Sequence, residues 1–215
     1  MFDEKMRLVK DTTFDPLARL LQGVSPWLFT TAGLLAGSAA AAALWQQRYG
    51  LGFLLWFINR VFDGLDGAVA RMRGTQSDFG GYLDIVVDFV VYALIPVGLA
   101  AGVGDAATST GSTQAAATGS AQAVTLSLIF LLCTYYVNAA SWMYLAAVLE
   151  KRHATDDGRL TTITMPAGII GGTETIVFYT AFIFFPAYLV WLFSLMGLLI
   201  VVTIWQRLVW AVRHI

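Results

Sequence analysis

Residues 51–102 read LGFLLWFINRVFDGLDGAVARMRGTQSDFGGYLDIVVDFVVYALIPVGLAAG. Two long apolar runs flank a short polar connection near 73–76. A helix of about 20 mostly apolar residues crosses a bilayer, so the two runs are expected to be antiparallel neighbours. Four aspartates interrupt them: Asp63, Asp66, Asp84 and Asp88. An acid inside a span costs about 2.5–3.5 kcal/mol on insertion scales and marks a candidate functional site.

Outward from this pair the pattern repeats. Further apolar runs cover 26–45, 123–149 and 166–210. The last is too long for one helix, and Pro186 divides it into 166–185 and 187–210. With spans at 51–72 and 79–102, the expected fold is all-α, an integral membrane bundle of six transmembrane helices. These spans fill most of residues 1–215, which leaves one membrane-embedded domain and no separate soluble one. Residues 1–22 mix charges with Phe2, Met6, Leu8, Val9, Phe14, Leu17 and Leu20, the composition of an amphipathic helix lying on a membrane surface. Ala101–Gln122 is rich in Ala, Ser, Thr and Gly and reads as a flexible external loop.

Composition agrees. Of the 215 residues, 58% are apolar and 13% charged, against about 25% charged in an average soluble domain. The net charge of −1 offers no basic excess to neutralise phosphates, which argues against nucleic-acid binding. A single cysteine, Cys133, excludes a disulfide framework and any multi-cysteine metal site. The thirteen bases divide sharply: Lys5, Arg7, Lys10, Arg19, Arg71, Arg73, Lys151, Arg152, Arg159, Arg207 and Arg213 fall on one side of the six-span layout. Only Arg48 falls on the other, and Arg60 lies within a span. Cytoplasmic loops are the ones enriched in Lys and Arg. Both termini and the aspartates are therefore expected at the cytoplasmic side of the cell (inner) membrane.

Spacing sharpens the aspartate signal. Asp63 and Asp66 are i, i+3 and Asp84 and Asp88 are i, i+4, so each pair shares a helix face. Both pairs lie close to the same connection and can converge into one four-carboxylate cluster. Four carboxylates do not stay ionised together in a dry site without cations. Oxygen ligands suit Mg²⁺, Mn²⁺ or Ca²⁺, and two such ions would offset four charges. Paired ions bridged by carboxylates serve phosphoryl transfer. A proton relay or ion pathway uses membrane acids too. Gly64, Gly67, Gly80 and Gly81 leave room for a ligand or for close helix packing, and Arg71 is within reach of a diphosphate or simply marks the cytoplasmic face.

Residues 63–88, DGLDGAVARMRGTQSDFGGYLDIVVD, resemble the signature of the CDP-alcohol phosphotransferases, D-x2-D-G-x2-A-R-x8-G-x3-D-x3-D. All eight fixed positions match: Asp63, Asp66, Gly67, Ala70, Arg71, Gly80, Asp84 and Asp88. Ser25–Thr31 (SPWLFTT) resembles the family's Pro-Asn-x-x-Thr motif, with Trp27 in place of the Asn. The resemblance implies transfer of a phosphatidyl group from a CDP-linked lipid donor, CDP-diacylglycerol above all, to an alcohol, with release of CMP in phospholipid biosynthesis. It implies two Mg²⁺ or Mn²⁺ ions on Asp63, Asp66 and Asp84, with Asp88 as general base and further metal contact. Asp66, Gly67, Ala70, Arg71 and Gly80 would bind the donor, the glycines leaving room for cytidine and Arg71 meeting the diphosphate. Homodimers are also implied.

The acceptor is read from elsewhere. The interior of 123–149 carries no Arg or Lys, and 166–185 carries Glu174 rather than a base. A phosphorylated acceptor should need additional bases, so an unphosphorylated alcohol such as serine, inositol or another polyol is favoured. Glu174, Asn138 and Arg152 are the candidate pocket residues, and Arg152 with Arg159 keeps glycerol 3-phosphate or inositol phosphate as the alternative. Two rivals are an intramembrane prenyltransferase, expected to carry two aspartate-rich motifs, and an ion or proton carrier, expected to carry a polar path across the bilayer.

Overall fold

The computed structural model describes residues 16–109, 114–155 and 168–215. Most of the predicted surface helix 1–22 lies outside the described residues, as do Lys5, Arg7, Lys10 and Arg159. Its end is seen as a helical turn over 16–20, where Ala18 is buried against Phe29, Leu65, Ala68 and Val69.

All regular structure among the described residues is helical: α1 (Pro26–Trp45), α2 (Tyr49–Arg73), α3 (Asp78–Ser109), α4 (Gln114–Thr155), α5 (Gly172–Phe184), a 3₁₀ turn (Pro186–Tyr188) and α6 (Leu189–His214). Four of these segments, Pro26–Trp45, Asp78–Asp105, Gly119–Arg152 and Pro186–His214, are long and apolar enough to cross a membrane. Helix α2 has the length, 25 residues, but carries the charges of the signature. Helix α5 is apolar but only 13 residues long. Pro186 ends α5 as expected, because a proline cannot donate the next helical hydrogen bond.

One expectation is corrected for the described residues: 101–109 continue α3 and 114–122 belong to α4, where a loop is expected. Their alanines are the strongest helix formers, and they outweigh the interspersed Ser, Thr and Gly.

The hairpin that carries the aspartates is closed by local chemistry. Gly74 sits in the left-handed region at φ 61°. The Thr75 N–H donates to the Ala70 carbonyl at 3.1 Å and the Gly74 N–H to that of Arg71 at 3.2 Å, a Schellman ending that favours glycine. Ser77 then starts α3, its Oγ accepting from the Gly80 N–H at 3.1 Å.

Helix α1 packs on both α2 and α3, α4 packs on α3 and α6, and α5 touches α2, α3 and α6. Small residues set the spacing. A Cβ at Gly98 would lie 3.1 Å from the Ala41 Cα, so the α1 and α3 backbones nearly touch there. The core gathers Trp56, Val91, Ile95, Leu99, Leu131, Tyr179, Phe182, Phe193 and Met196. Outside it, Leu28, Leu54, Val97, Leu126, Trp191, Leu198 and Val212 are all exposed. Large apolar side chains over several helix faces suit lipid rather than water.

Candidate active site

Helices α1, α2 and α3 enclose a cavity of about 360 Å³ at the 74–77 turn. Asp66, Gly67, Ala70 and Arg71 line it from α2, and Gly80 and Asp84 from α3. Ser25, Pro26, Trp27 and Thr30 close it from the start of α1. Trp27 stacks on Phe79 of α3, with ring centroids 5.2 Å apart. A narrower cleft continues inward and is lined by Asp63, Asp66, Asp84 and Asp88 with Thr30, Asn59 and Val87. The two acid pairs thus converge as their spacing predicted, and Asp66 and Asp84 belong to both spaces.

Each of the inner acids has a distinct setting. Asp66 is 6% exposed. Its Oδ2 accepts from the Thr30 hydroxyl at 2.8 Å and its Oδ1 from the Gly67 N–H at 2.6 Å. Asp88 Oδ1 accepts from Arg60 Nη2 at 2.8 Å, and Asp63 Oδ2 lies 3.7 Å from Arg60 Nη1. Among the described residues, no three acid, His or Cys side chains already surround a single ion position. The donor chemistry nevertheless fits a hard divalent cation: four carboxylates line one cleft, with no His or Cys among them.

Three contributors went unrecognised in the sequence. Thr30 is the threonine of the SPWLFTT segment, and its hydroxyl donates to Asp66. Asn59 is buried, and its Nδ2 donates to the Gly33 carbonyl at 2.9 Å, tying α2 to α1. Arg60 is the one base inside a span. A guanidinium at that depth, one helical turn before Asp63, signals an acid partner.

The candidate acceptor residues Glu174, Asn138 and Arg152 do not line either cavity. Glu174 lies in the first turn of α5, where its Oε2 accepts from the Gly171 N–H at 3.0 Å, the work of a helix cap. Asn138 Oδ1 accepts from Arg207 Nη1 at 3.0 Å, joining α4 to α6. Arg152 Nη2 donates to the Ile215 carbonyl at 2.6 Å and docks the end of α6 on α4. Periodicity gave each a face but could not rotate that face toward the aspartates.

Comparison with known proteins bears on the same helices. The family model for CDP-alcohol phosphatidyltransferase matches residues 23–212. The inner membrane protein YnjF of Escherichia coli (strain K12) is 30% identical over 190 residues, which span 88% of this chain and 83% of YnjF. The archaetidylinositol phosphate synthase of Pyrococcus horikoshii is 35% identical over 80 residues, 37% of this chain but only 43% of that protein. In fold, the chain resembles the phosphatidylinositol phosphate synthase of Mycobacterium tuberculosis. The complex with manganese and citrate superposes at a TM-score of 0.62 with 23% identity, covering 91% of this chain and 87% of the other. The structure with CDP-DAG bound gives 0.61 at 23% identity and 91% coverage of both chains.

Proposed function

This chain belongs to the CDP-alcohol phosphatidyltransferase family of membrane transferases, and from that premise we propose that it moves a phosphatidyl group from CDP-diacylglycerol to an alcohol and releases CMP. One observation carries the proposal: signature residues from α2 and α3 line a single cavity of about 360 Å³ that leads into a cleft holding all four aspartates. The CDP-DAG bound to the mycobacterial relative supports the donor.

In this reading Arg71 and the backbone beside Gly67, Ala70 and Gly80 receive the cytidine diphosphate. Asp63, Asp66 and Asp84 hold divalent ions, with Asp88 at their edge. Manganese in the mycobacterial relative and the all-carboxylate lining support Mg²⁺ or Mn²⁺, two ions offsetting four charges. Such ions supply Lewis-acid stabilisation of the phosphoryl and leaving oxygens. The acceptor oxygen attacks the phosphorus nearer the lipid. Asp88 takes its proton from within hydrogen-bond reach, and the bond to CMP breaks. Six spans form one domain, with both termini and the site facing the cytoplasm of a cell (inner) membrane, a layout supported by the distribution of the bases. A homodimer follows from the family resemblance.

The acceptor is an unphosphorylated alcohol. Arg71 and Arg73 are the only bases among the described residues of the outer cavity, and Arg60 beside the inner cleft is committed to Asp88. A phosphorylated acceptor is the second reading. The name of the archaeal relative favours it. Purified protein given CDP-diacylglycerol and Mg²⁺ or Mn²⁺ should release CMP with one of serine, inositol, glycerol, inositol phosphate or glycerol 3-phosphate. The acceptor that works decides between the two readings. Pyrophosphate release from a prenyl substrate, or ion flux without nucleotide chemistry, would overturn both.

A further inference from the structure

Arg60 is an expensive residue in its place. It lies in the middle of α2 with its side chain 9% exposed, where an unpaired cation is strongly disfavoured. Neutralising the acid cluster would explain a positive charge, but the surroundings specify more than charge. Three of its nitrogens are used in three directions. Nε donates to Asn59 Oδ1 at 2.9 Å, Nη1 to the Tyr92 hydroxyl at 2.9 Å, and Nη2 to Asp88 Oδ1 at 2.8 Å. The guanidinium also lies 5.0 Å above the Tyr92 ring centroid. Its supports are themselves tied down: Asn59 donates to Gly33 of α1, and the Tyr92 carbonyl accepts from the buried Tyr179 hydroxyl of α5 at 2.6 Å. A planar fork held this way defines where its Nη2 N–H points, which a flexible ammonium does not.

We propose that Arg60 is a positioning residue: it grips Asp88 by one carboxylate oxygen and so presents the other to the acceptor hydroxyl. The proposal rests on Asp88 being the base of the reaction proposed above. The held oxygen is Oδ1, and among the described residues no hydrogen bond is seen to Oδ2. As the acceptor oxygen bonds to phosphorus and CMP departs, the acceptor's proton passes to Oδ2, while Oδ1 keeps its contact with Arg60. Asp63, 3.7 Å from Nη1, shares the cation without a close hydrogen bond.

Lysine separates the two explanations for Arg60. If only a counter-charge is needed, Arg60→Lys keeps wild-type turnover. If the fork positions the base, Arg60→Lys lowers kcat about 10–100-fold, the usual loss when a partner orienting a site residue is removed, with donor KM within about threefold. Tyr92→Phe keeps the ring and deletes one anchor of the fork; it should lower kcat about three- to tenfold, again without moving KM. Both are measured as CMP release in detergent, beside Asp88→Asn and with thermal midpoints recorded. Turnover by Asp88→Asn would remove the base assignment itself. An inactive Asp88→Asn beside an Arg60→Lys with wild-type kcat, or with KM rising as far as kcat falls, would overturn the positioning role alone. Should Arg60→Lys fail to fold, Tyr92→Phe decides: a lower kcat at constant KM upholds the role, and a wild-type kcat overturns it.

Discussion

Replacing Thr30 by valine deletes one hydroxyl and keeps nearly the same shape. The hydroxyl is 2.8 Å from Asp66 Oδ2, and its other acceptor, the Pro26 carbonyl, is longer at 3.3 Å. Asp66 is 6% exposed, but it and Thr30 both line the cavity, so water can take part of the vacated place. A hydrogen bond to a charged group contributes about 1.5–3 kcal/mol, and water access puts this one in the lower part of that range. At 1.36 kcal/mol per factor of ten, 1.5–2 kcal/mol corresponds to about 13- to 30-fold. The Gly67 N–H still holds Oδ1, so Asp66 keeps its place but loses its orientation. The loss should therefore appear in the Mn²⁺ concentration that half-saturates CMP release, raised by that factor in Thr30→Val and restored to within about threefold by Thr30→Ser. The assay is CMP release against Mn²⁺ concentration at saturating donor, with circular dichroism melts in the same detergent. A Thr30→Val protein that melts normally and titrates with Mn²⁺ like the wild type would refute the reasoning.

Asp63→Asn should weaken metal-dependent donor binding as well as turnover, seen as loss of CDP-diacylglycerol retention by filter binding; unchanged retention would remove Asp63 from the ligand set. Chelation with EDTA should abolish CMP release and either Mg²⁺ or Mn²⁺ should restore it, and activity that survives exhaustive chelation would exclude the metal-dependent reaction. Gly98→Leu places a side chain against the α1 backbone at Ala41. Overpacking of this kind costs about 1–3 kcal/mol, so its melting midpoint in detergent should fall, whereas Gly104→Leu, with nothing within 4 Å of its added Cβ, should melt like the wild type.

The helices and the site were legible to different degrees, for different reasons. Apolar run length located each main helix, and Pro186 located the break before α6, because both are properties of a short stretch of chain. Convergence of the aspartates was legible too, since a turn as short as 74–77 leaves two neighbouring helices little freedom. The role of Arg60 was hidden because Asp88 and Tyr92 lie 28 and 32 residues away. The acceptor candidates are hard to place for a related reason. Glu174, Asn138 and Arg152 are polar residues in apolar surroundings, and which partner each finds depends on helix rotation, which no local pattern records. The helical state of 101–109 and 114–122 is obscured by their Ser, Thr and Gly, although their alanines point the other way.

Helix α5 has a consequence beyond chemistry. Its 13 residues, at 1.5 Å each, span about 20 Å, while the hydrocarbon of a typical bilayer is about 30 Å thick. A mismatch of that size is met by bending the membrane inward or by letting water meet non-helical backbone. Just before α5 the backbone is provided for: the Ile170 N–H donates to Thr203 Oγ1 at 3.0 Å and the Gly171 N–H to Glu174. On the six-span layout proposed above, the bilayer is thinned beside α5 or water reaches the backbone there. Acyl-chain length becomes a variable to which the protein should respond, in melting temperature first, when it is reconstituted into lipids of graded thickness.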